Sequence, residues 1–162
     1  MMTRRDVLAC CGAVLTAACG TSAARASATA QTFEVHHTEA EWRKLLTPDR
    51  YAVLRESATE RPFSSELLHE ARKGTFLCAG CGLDLFSSAT KFDSGTGWPS
   101  FWTPIKGAIG EVSDTTLGMV RTAVHCHRCG GHQGHVFDDG PKPTGLRYCI
   151  NGLALTFRPD AA

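Results

Sequence analysis

The chain has 162 residues, and its 17 Lys and Arg nearly balance its 16 Asp and Glu. A chain of this length forms one domain, and its hydrophobic core is large enough to fold without stabilising disulfides or metal ions. It has no basic stripe or polybasic run, which argues against nucleic acid as a partner. No stretch is both long and apolar enough to predict a transmembrane helix.

The first thirty residues have the composition of an export signal. Arg4 and Arg5 precede an uncharged run rich in Ala, Gly and Thr, and small-residue cleavage sites follow at 28–30. The start also resembles a twin-arginine signal, which exports folded proteins. Residues 15–19 look like a lipoprotein cleavage box with Cys19 as the acylated residue. We predict an export signal over 1–30 and a periplasmic location, with membrane attachment only if Cys19 is lipidated; a disordered Ala-rich tail is the alternative.

Two short helices are predicted at the start of the remaining domain, residues 31–162. Thr38 and Glu41 have the spacing of a capping box. Thr47 and Pro48 supply a second N-cap and a proline at the first helical position. One further turn is predicted within 64–69. The apolar residues expected from the two helices are Trp42, Leu45, Leu46, Tyr51, Val53 and Leu54.

After Gly74 the sequence changes to short strand-like pieces separated by glycine and proline. The predicted strands are 75–77, 83–86, 119–125, 146–151 and 154–157. Short helices followed by many short strands indicate a small mainly-β domain with helices at one end.

Two C-x-x-C-G segments, 78–82 and 126–130, predict a metal site. Two residues between thiolates allow a tight turn to present both sulfurs to one ion, and the glycine relieves crowding. The pattern favours one structural zinc over disulfides, a redox-active pair or iron. A closed four-cysteine site has no open position for catalysis. The predicted ligands are Cys78, Cys81, Cys126 and Cys129.

Cys149 is left over once the signal and the metal ligands are assigned. On a strand, period-two alternation places Arg147, Cys149 and Asn151 on one face. A guanidinium beside a thiol favours the thiolate, which is the nucleophilic form. We therefore predict a reactive cysteine; a buried small apolar residue is the alternative.

Two further segments supply candidate site residues. His132 and His135 lie in a Gly-rich stretch and could donate a proton to a reacting oxygen. The aromatic residues of 91–102 could line an apolar pocket for a thioether methyl group. For Phe92 and Phe101, packing in a small core cluster is the expected role.

Taken together, these segments resemble the methionine-R-sulfoxide reductases. The matching stretches are the two cysteine pairs, KFDSGTGWPSF at 91–101, GHQGHVFDDGP at 131–141 and RYCIN at 147–151. The likeness extends from about residue 38 to residue 157. It implies two antiparallel sheets with short N-terminal helices and a zinc remote from the active site. The implied reaction is reduction of methionine sulfoxide, in proteins or peptides and also in the free amino acid.

The resemblance also implies roles for individual residues. Cys149 would be the nucleophile that becomes a sulfenic acid, and Trp98 would pack against the substrate methyl group. The residues implied to line the pocket are His132, His135, Arg147 and Asn151, with Asp139 as a supporting acidic residue.

Three positions depart from the family pattern. Many members have a resolving cysteine where Thr96 stands. Its absence predicts a one-cysteine cycle, reset by a small thiol or a thioredoxin-like partner. Gln133 stands where an aliphatic residue is usual, which suggests altered substrate access, and Gly152 stands where serine is common, with no consequence assigned.

A monomer is the expected state. The alternative functions are a non-catalytic zinc-binding β module that binds proteins and a thiol oxidoreductase that uses the C-x-x-C pairs.

Overall fold

Two capped helices begin the part of the chain that the computed structural model describes, residues 32–161. They are α1 (Glu39–Leu45) and α2 (Pro48–Glu56). The Thr38 side chain accepts from the Glu41 N–H, and the Glu41 carboxylate accepts from the Thr38 N–H, so the predicted capping box is confirmed. The export signal predicted over 1–30 lies outside the described residues.

The helices bury most of the apolar residues expected of them. Trp42 and Leu46 face the core four residues apart, whereas Leu45 is 61% exposed, contrary to expectation. The predicted further turn is a 3₁₀ turn at Glu66–His69. Among residues 32–161, no helix is long and apolar enough to cross a membrane.

Nine strands form two sheets in which every pairing is antiparallel. The smaller sheet has the order β2-β1-β9, and the larger has the order β3-β4-β8-β7-β6-β5. The predicted class, a mainly-β domain of two antiparallel sheets with short N-terminal helices, is therefore confirmed. The strands are β1 Gly74–Cys78, β2 Asp84–Ser87, β3 Lys91–Phe92, β4 Ser100–Phe101, β5 Ile109–Asp114, β6 Arg121–Cys126, β7 His132–Phe137, β8 Arg147–Ile150 and β9 Leu155–Pro159.

Four of these strands were not predicted: β3, β4, β5 and β7. The first two are only two residues long. Strand β5 exposes three consecutive residues, 111–113, at the edge of its sheet, so it lacks the apolar alternation of a half-buried strand. Strand β7 begins with His-Gln-Gly, which is typical of a loop, but it pairs on both sides with β6 and β8. Its neighbours override its weak intrinsic strand propensity.

Aromatic side chains join the two sheets. Phe86 of β2 stacks on Phe101 of β4, with ring centroids 4.3 Å apart. Phe76 of β1 meets Phe101 edge to face at 5.0 Å. All three rings are fully buried. The role expected for Phe101, packing in a core cluster, is confirmed.

Candidate active site and metal centre

The four cysteines of the two C-x-x-C segments meet at the ends of strands β1 and β6. Their sulfur atoms all lie within 4.8 Å of one another. Cys78 and Cys129 Sγ are 3.7 Å apart, and Cys81 and Cys126 Sγ are 3.5 Å apart. A Zn–S bond of about 2.3 Å gives a tetrahedron with S–S edges of about 3.8 Å. The cluster therefore fits a four-coordinate ion with thiolate ligands.

The same tight turn presents each pair of thiols. The Gly82 N–H donates to the Cys78 carbonyl at 2.8 Å, and the Gly130 N–H donates to the Cys126 carbonyl at 2.9 Å. Both glycines have a left-handed backbone conformation, with φ of +71° at Gly82 and +69° at Gly130. Glycine adopts this conformation without strain, which explains why it follows each pair.

Cys149 lies in the middle of the larger sheet. In strand β8 it is directly opposite Ser100 of β4 on one side and His135 of β7 on the other. This pairing brings the aromatic segment, the histidine segment and the reactive-cysteine segment to one place. Cys149 is partly exposed, so a small molecule can reach it.

Arg147 approaches Cys149 but is also engaged by a carboxylate. Its guanidinium donates two hydrogen bonds of 2.8 Å to Asp139 and lies over the Phe137 ring. Burial raises the pKa of the Cys149 thiol. Hydrogen bonding to Thr96 and the charge of Arg147 lower this pKa, but by less than burial raises it. Arg147 favours the Cys149 thiolate, as expected, but burial of the thiol and the negative charge of Asp139 both favour the protonated form. Near neutral pH, Cys149 is therefore mainly a thiol before substrate binds.

A chain of hydroxyl groups leads away from Cys149. The Thr96 Oγ1 lies 3.8 Å from the Cys149 Sγ and 2.8 Å from the Ser94 Oγ, which in turn lies 2.7 Å from the Ser100 Oγ. Ser100 is fully buried. Thr96 thus places a hydrogen-bond donor beside the Cys149 sulfur.

A β-bulge places both histidines on one face. Val124 pairs with Gly134, but the next residue, His125, pairs with His132, so Gln133 is the extra residue. The rings of His132 and His135 therefore come within 5.5 Å although they are three residues apart. Strict alternation would separate them. The bulge requires glycine at 134, because a Cβ there would overlap the Cys149 carbonyl oxygen.

Asp114, which the sequence did not single out, holds His135. Its carboxylate lies 2.8 Å from the His135 Nε2 and accepts from Arg121 at 2.7 Å. These contacts hold the imidazole in one orientation. Asp114 ends the unpredicted strand β5, so no local pattern could have identified it.

Asn151 is buried, and both the oxygen and the nitrogen of its side-chain amide form hydrogen bonds. Its Oδ1 accepts from the Glu60 N–H at 3.0 Å, and its Nδ2 donates to the Gln133 carbonyl at 3.0 Å. Trp98 joins the same network, since its Nε1 donates to the Glu60 carbonyl at 3.2 Å. The structure thus ties the Trp98 loop to the chain that leaves Cys149.

Glu60 is the second residue that the sequence reading missed. Its buried carboxylate accepts from the N–H groups of Gly152 and Leu153, and burial raises its pKa in spite of these bonds. A Cβ at Gly152 would collide with the Ser65 side chain. Glycine at 152 therefore accommodates Ser65.

We expect His132 to make folding stability depend on pH. Burial, together with His135, lowers the pKa of His132 to about 4, against about 6.5 in an unfolded chain. Between these values the unfolded state binds more protons, so stability falls as pH is lowered, by at most about 1.4 kcal/mol per pH unit. Denaturant unfolding of the wild type and His132→Gln at pH about 7 and about 4.5 measures this. The variant should lose less stability on acidification; equal losses would contradict the assignment.

Comparison with known proteins decides the family. A model of the SelR domain family matches residues 46–159. The chain belongs to this family. Three relatives, each described as peptide methionine sulfoxide reductase MsrB, come from Bradyrhizobium diazoefficiens, Agrobacterium fabrum and Leptospira interrogans. They are 58%, 54% and 50% identical, over 78%, 78% and 79% of this chain and 91%, 94% and 98% of their own lengths.

Membership of the SelR family confirms the resemblance read from the sequence. It also makes the non-catalytic zinc module the less favoured reading. In this SelR chain the sheet pairing brings Cys149, His132, His135 and Arg147 to one region. The four remaining cysteines of the described residues form a separate cluster that could hold a metal ion.

Proposed function

We propose that the chain reduces the R epimer of methionine sulfoxide, in proteins or peptides and also in the free amino acid, with Cys149 as the nucleophile. The observation that carries this proposal is the setting of Cys149. It is a partly exposed thiol directly opposite His135, with the Thr96 hydroxyl 3.8 Å from its sulfur. The relatives are peptide methionine sulfoxide reductases, which supports the substrate class.

The chemistry transfers one oxygen atom and two electrons. Cys149 loses its proton as it attacks the sulfoxide sulfur, and His135 or His132 protonates the sulfoxide oxygen. The oxygen ends on Cys149 as a sulfenic acid, and methionine leaves as the reduced thioether. Because burial and His135 lower the pKa of His132 to about 4, its imidazole is neutral in the resting state, so the proton delivered to the oxygen originates on Cys149.

The surrounding residues position the reactants. Trp98 would pack against the substrate methyl group, since sulfur and methyl groups pack favourably on aromatic rings. Asp139 would hold Arg147 beside the thiol, and Asn151 would hold the Trp98 loop through Glu60.

Separated epimers test the proposal. We expect the metal-loaded chain, with dithiothreitol as reductant, to reduce R-methionine sulfoxide peptides and to leave the S epimer untouched. Methionine formation measured by chromatography decides the matter. Turnover of the S epimer alone, or of neither epimer by folded protein, would overturn the proposal.

The absence of a cysteine at 96 leads us to propose a one-cysteine cycle. Two equivalents of a small thiol, or one thioredoxin-like dithiol, would reduce the sulfenic acid to thiol and water. We expect Thr96→Cys to convert this cycle to a disulfide cycle, because the Thr96 Oγ1 is only 3.8 Å from the Cys149 Sγ. After one turnover without reductant, mass spectrometry should show an added oxygen in the wild type and a disulfide in the variant.

Thr96→Ser is the matched control for this experiment, since it keeps the hydroxyl and adds no thiol. It should behave as the wild type does. A Thr96→Cys protein that accumulates sulfenic acid and forms no disulfide would show that the two positions cannot be bridged.

We propose that one zinc ion occupies the four-cysteine site. The ion would cross-link the turns after β1 and β6 and take no part in the reaction, because four thiolates leave it no open position. Its ligands would be Cys78, Cys81, Cys126 and Cys129.

We propose export to the periplasm on the basis of Arg4-Arg5 and the uncharged run after them. Replacing both arginines with lysine should retain the protein in the cytoplasm if the twin-arginine route is used. Unchanged export would favour the general route. Labelling with a radioactive fatty acid tests Cys19.

A further inference from the structure

Gln133, the extra residue of the bulge, does not direct its side chain to Cys149. Its side chain is fully buried and points to the cysteine cluster. The Nε2 lies 3.6 Å from the Cys78 Sγ and 3.1 Å from the Gly131 carbonyl oxygen. The substrate-access role suggested by the sequence therefore has no support in this geometry.

The amide orientation follows from its two partners. Both the Cys78 sulfur and the Gly131 carbonyl are acceptors, and a carboxamide nitrogen carries two hydrogens, one for each. The reversed amide would place Oε1 against two acceptors. With Cys78 as a metal-bound thiolate, only the orientation with Nε2 toward these two acceptors forms hydrogen bonds to them.

Burying the Gln133 amide costs free energy of folding that an aliphatic side chain at this position would not cost. The Gln133 Oε1 is buried without a hydrogen-bond partner among the described residues. Burying an unpaired polar atom is unfavourable, so the bonds made by Nε2 must offset it. A neutral thiol is a weak acceptor, but a metal-bound thiolate carries charge and accepts more strongly.

Two arginines also donate hydrogen bonds to ligand residues, at main-chain carbonyls rather than at sulfurs. Arg55 donates to the Cys129 carbonyl at 3.0 Å, and Arg128 donates to the Cys81 carbonyl at 3.2 Å. One Zn²⁺ with four thiolates has a net charge of about −2. Donors directed at three of the four ligand residues match that excess negative charge.

We propose that Gln133 is a positioning residue of the metal centre, whose carboxamide donates to the metal-bound Cys78 thiolate and slows loss of the ion. The Gln133 carbonyl also accepts from the N–H and the Nδ2 of Asn151, two residues after Cys149. Gln133 thus connects the metal centre to the end of strand β8. This role is independent of the reductase activity.

Gln133→Met tests the role, since methionine keeps the length of the side chain but removes the donor. The zinc-loaded full chain is mixed with excess 4-(2-pyridylazo)resorcinol, and absorbance follows release of the ion. We expect release to be about 10-fold faster in the variant, the lower end of the effect of removing such a partner. Val136→Ala, which truncates a partly buried apolar side chain of the same strand, should lower the melting temperature without a comparable change in release.

A measurement on the unaltered chain covers the case in which Gln133→Met fails to fold. In ¹¹³Cd-loaded protein, an amide proton that is hydrogen-bonded to a metal-bound sulfur shows scalar coupling to the metal. We expect a correlation between cadmium and a Gln133 side-chain amide proton. Its absence, with the cysteine β-proton correlations visible, would overturn the proposal, as would equal release rates in the wild type and a folded Gln133→Met.

Discussion

Replacement of Cys149 with serine should reduce turnover of the R epimer by about 1,000-fold or more, because a hydroxyl is a far weaker nucleophile toward sulfur. The residue is partly exposed and beside Thr96, so the smaller oxygen fits without rearrangement. Substrate binding should persist. Single-turnover formation of methionine, followed in the absence of reductant, measures the loss directly.

The variant must keep its fold for this result to be decisive. Cys149 is not one of the four clustered cysteines, so Cys149→Ser should retain one zinc per chain and a near-normal melting temperature. Substantial residual turnover in a folded, zinc-loaded variant would show that another group attacks the sulfoxide. Cys149 would then revert to a packing role.

Removal of the metal should unfold the domain. Structural zinc binding contributes about 10–16 kcal/mol in small zinc modules, against a total stability of about 5–15 kcal/mol for a typical domain. The ion would join the turns after β1 and β6, which belong to different sheets. Chelation under reducing conditions should therefore lower the melting temperature by about 15 °C or more, or abolish cooperative unfolding.

Re-addition of zinc provides the control for chelation, and circular dichroism provides the measurement. Cys78→Ser should resemble the chelated protein, since it removes one ligand. A chelated chain that melts like the loaded one would show that the cluster is not a structural metal site.

The same experiment separates the thiol-oxidoreductase alternative. The described residues contain five free cysteines, of which four are clustered. If zinc holds those four, only Cys149 should react with a thiol reagent in the native protein, and the rest should react after chelation. Rapid native reaction of the C-x-x-C cysteines would favour the alternative.

The elements held by hydrogen bonds between near neighbours in the chain could be predicted from the sequence. The capping box joins residues three apart, and each C-x-x-C turn closes within five residues. Such patterns can be read directly because fixed spacing dictates fixed geometry. Strand β8 was also recognisable, since apolar and polar residue types alternate along 146–151 of the sequence.

The tertiary structure decided how these parts meet. Asp114 reaches His135 across 21 residues, Gln133 reaches Cys78 across 55, and Glu60 caps Gly152 across 92. Strand β7 has no strand pattern of its own and forms because β6 and β8 pair with it. The bulge then directs the Gln133 side chain to the cysteine cluster, where its Nε2 lies near the Cys78 sulfur. Contacts between residues so far apart in the chain depend on which strands pair and on which side chains the core can bury. Strand pairing and burial are set by packing of the whole domain and not by neighbouring residues in the sequence.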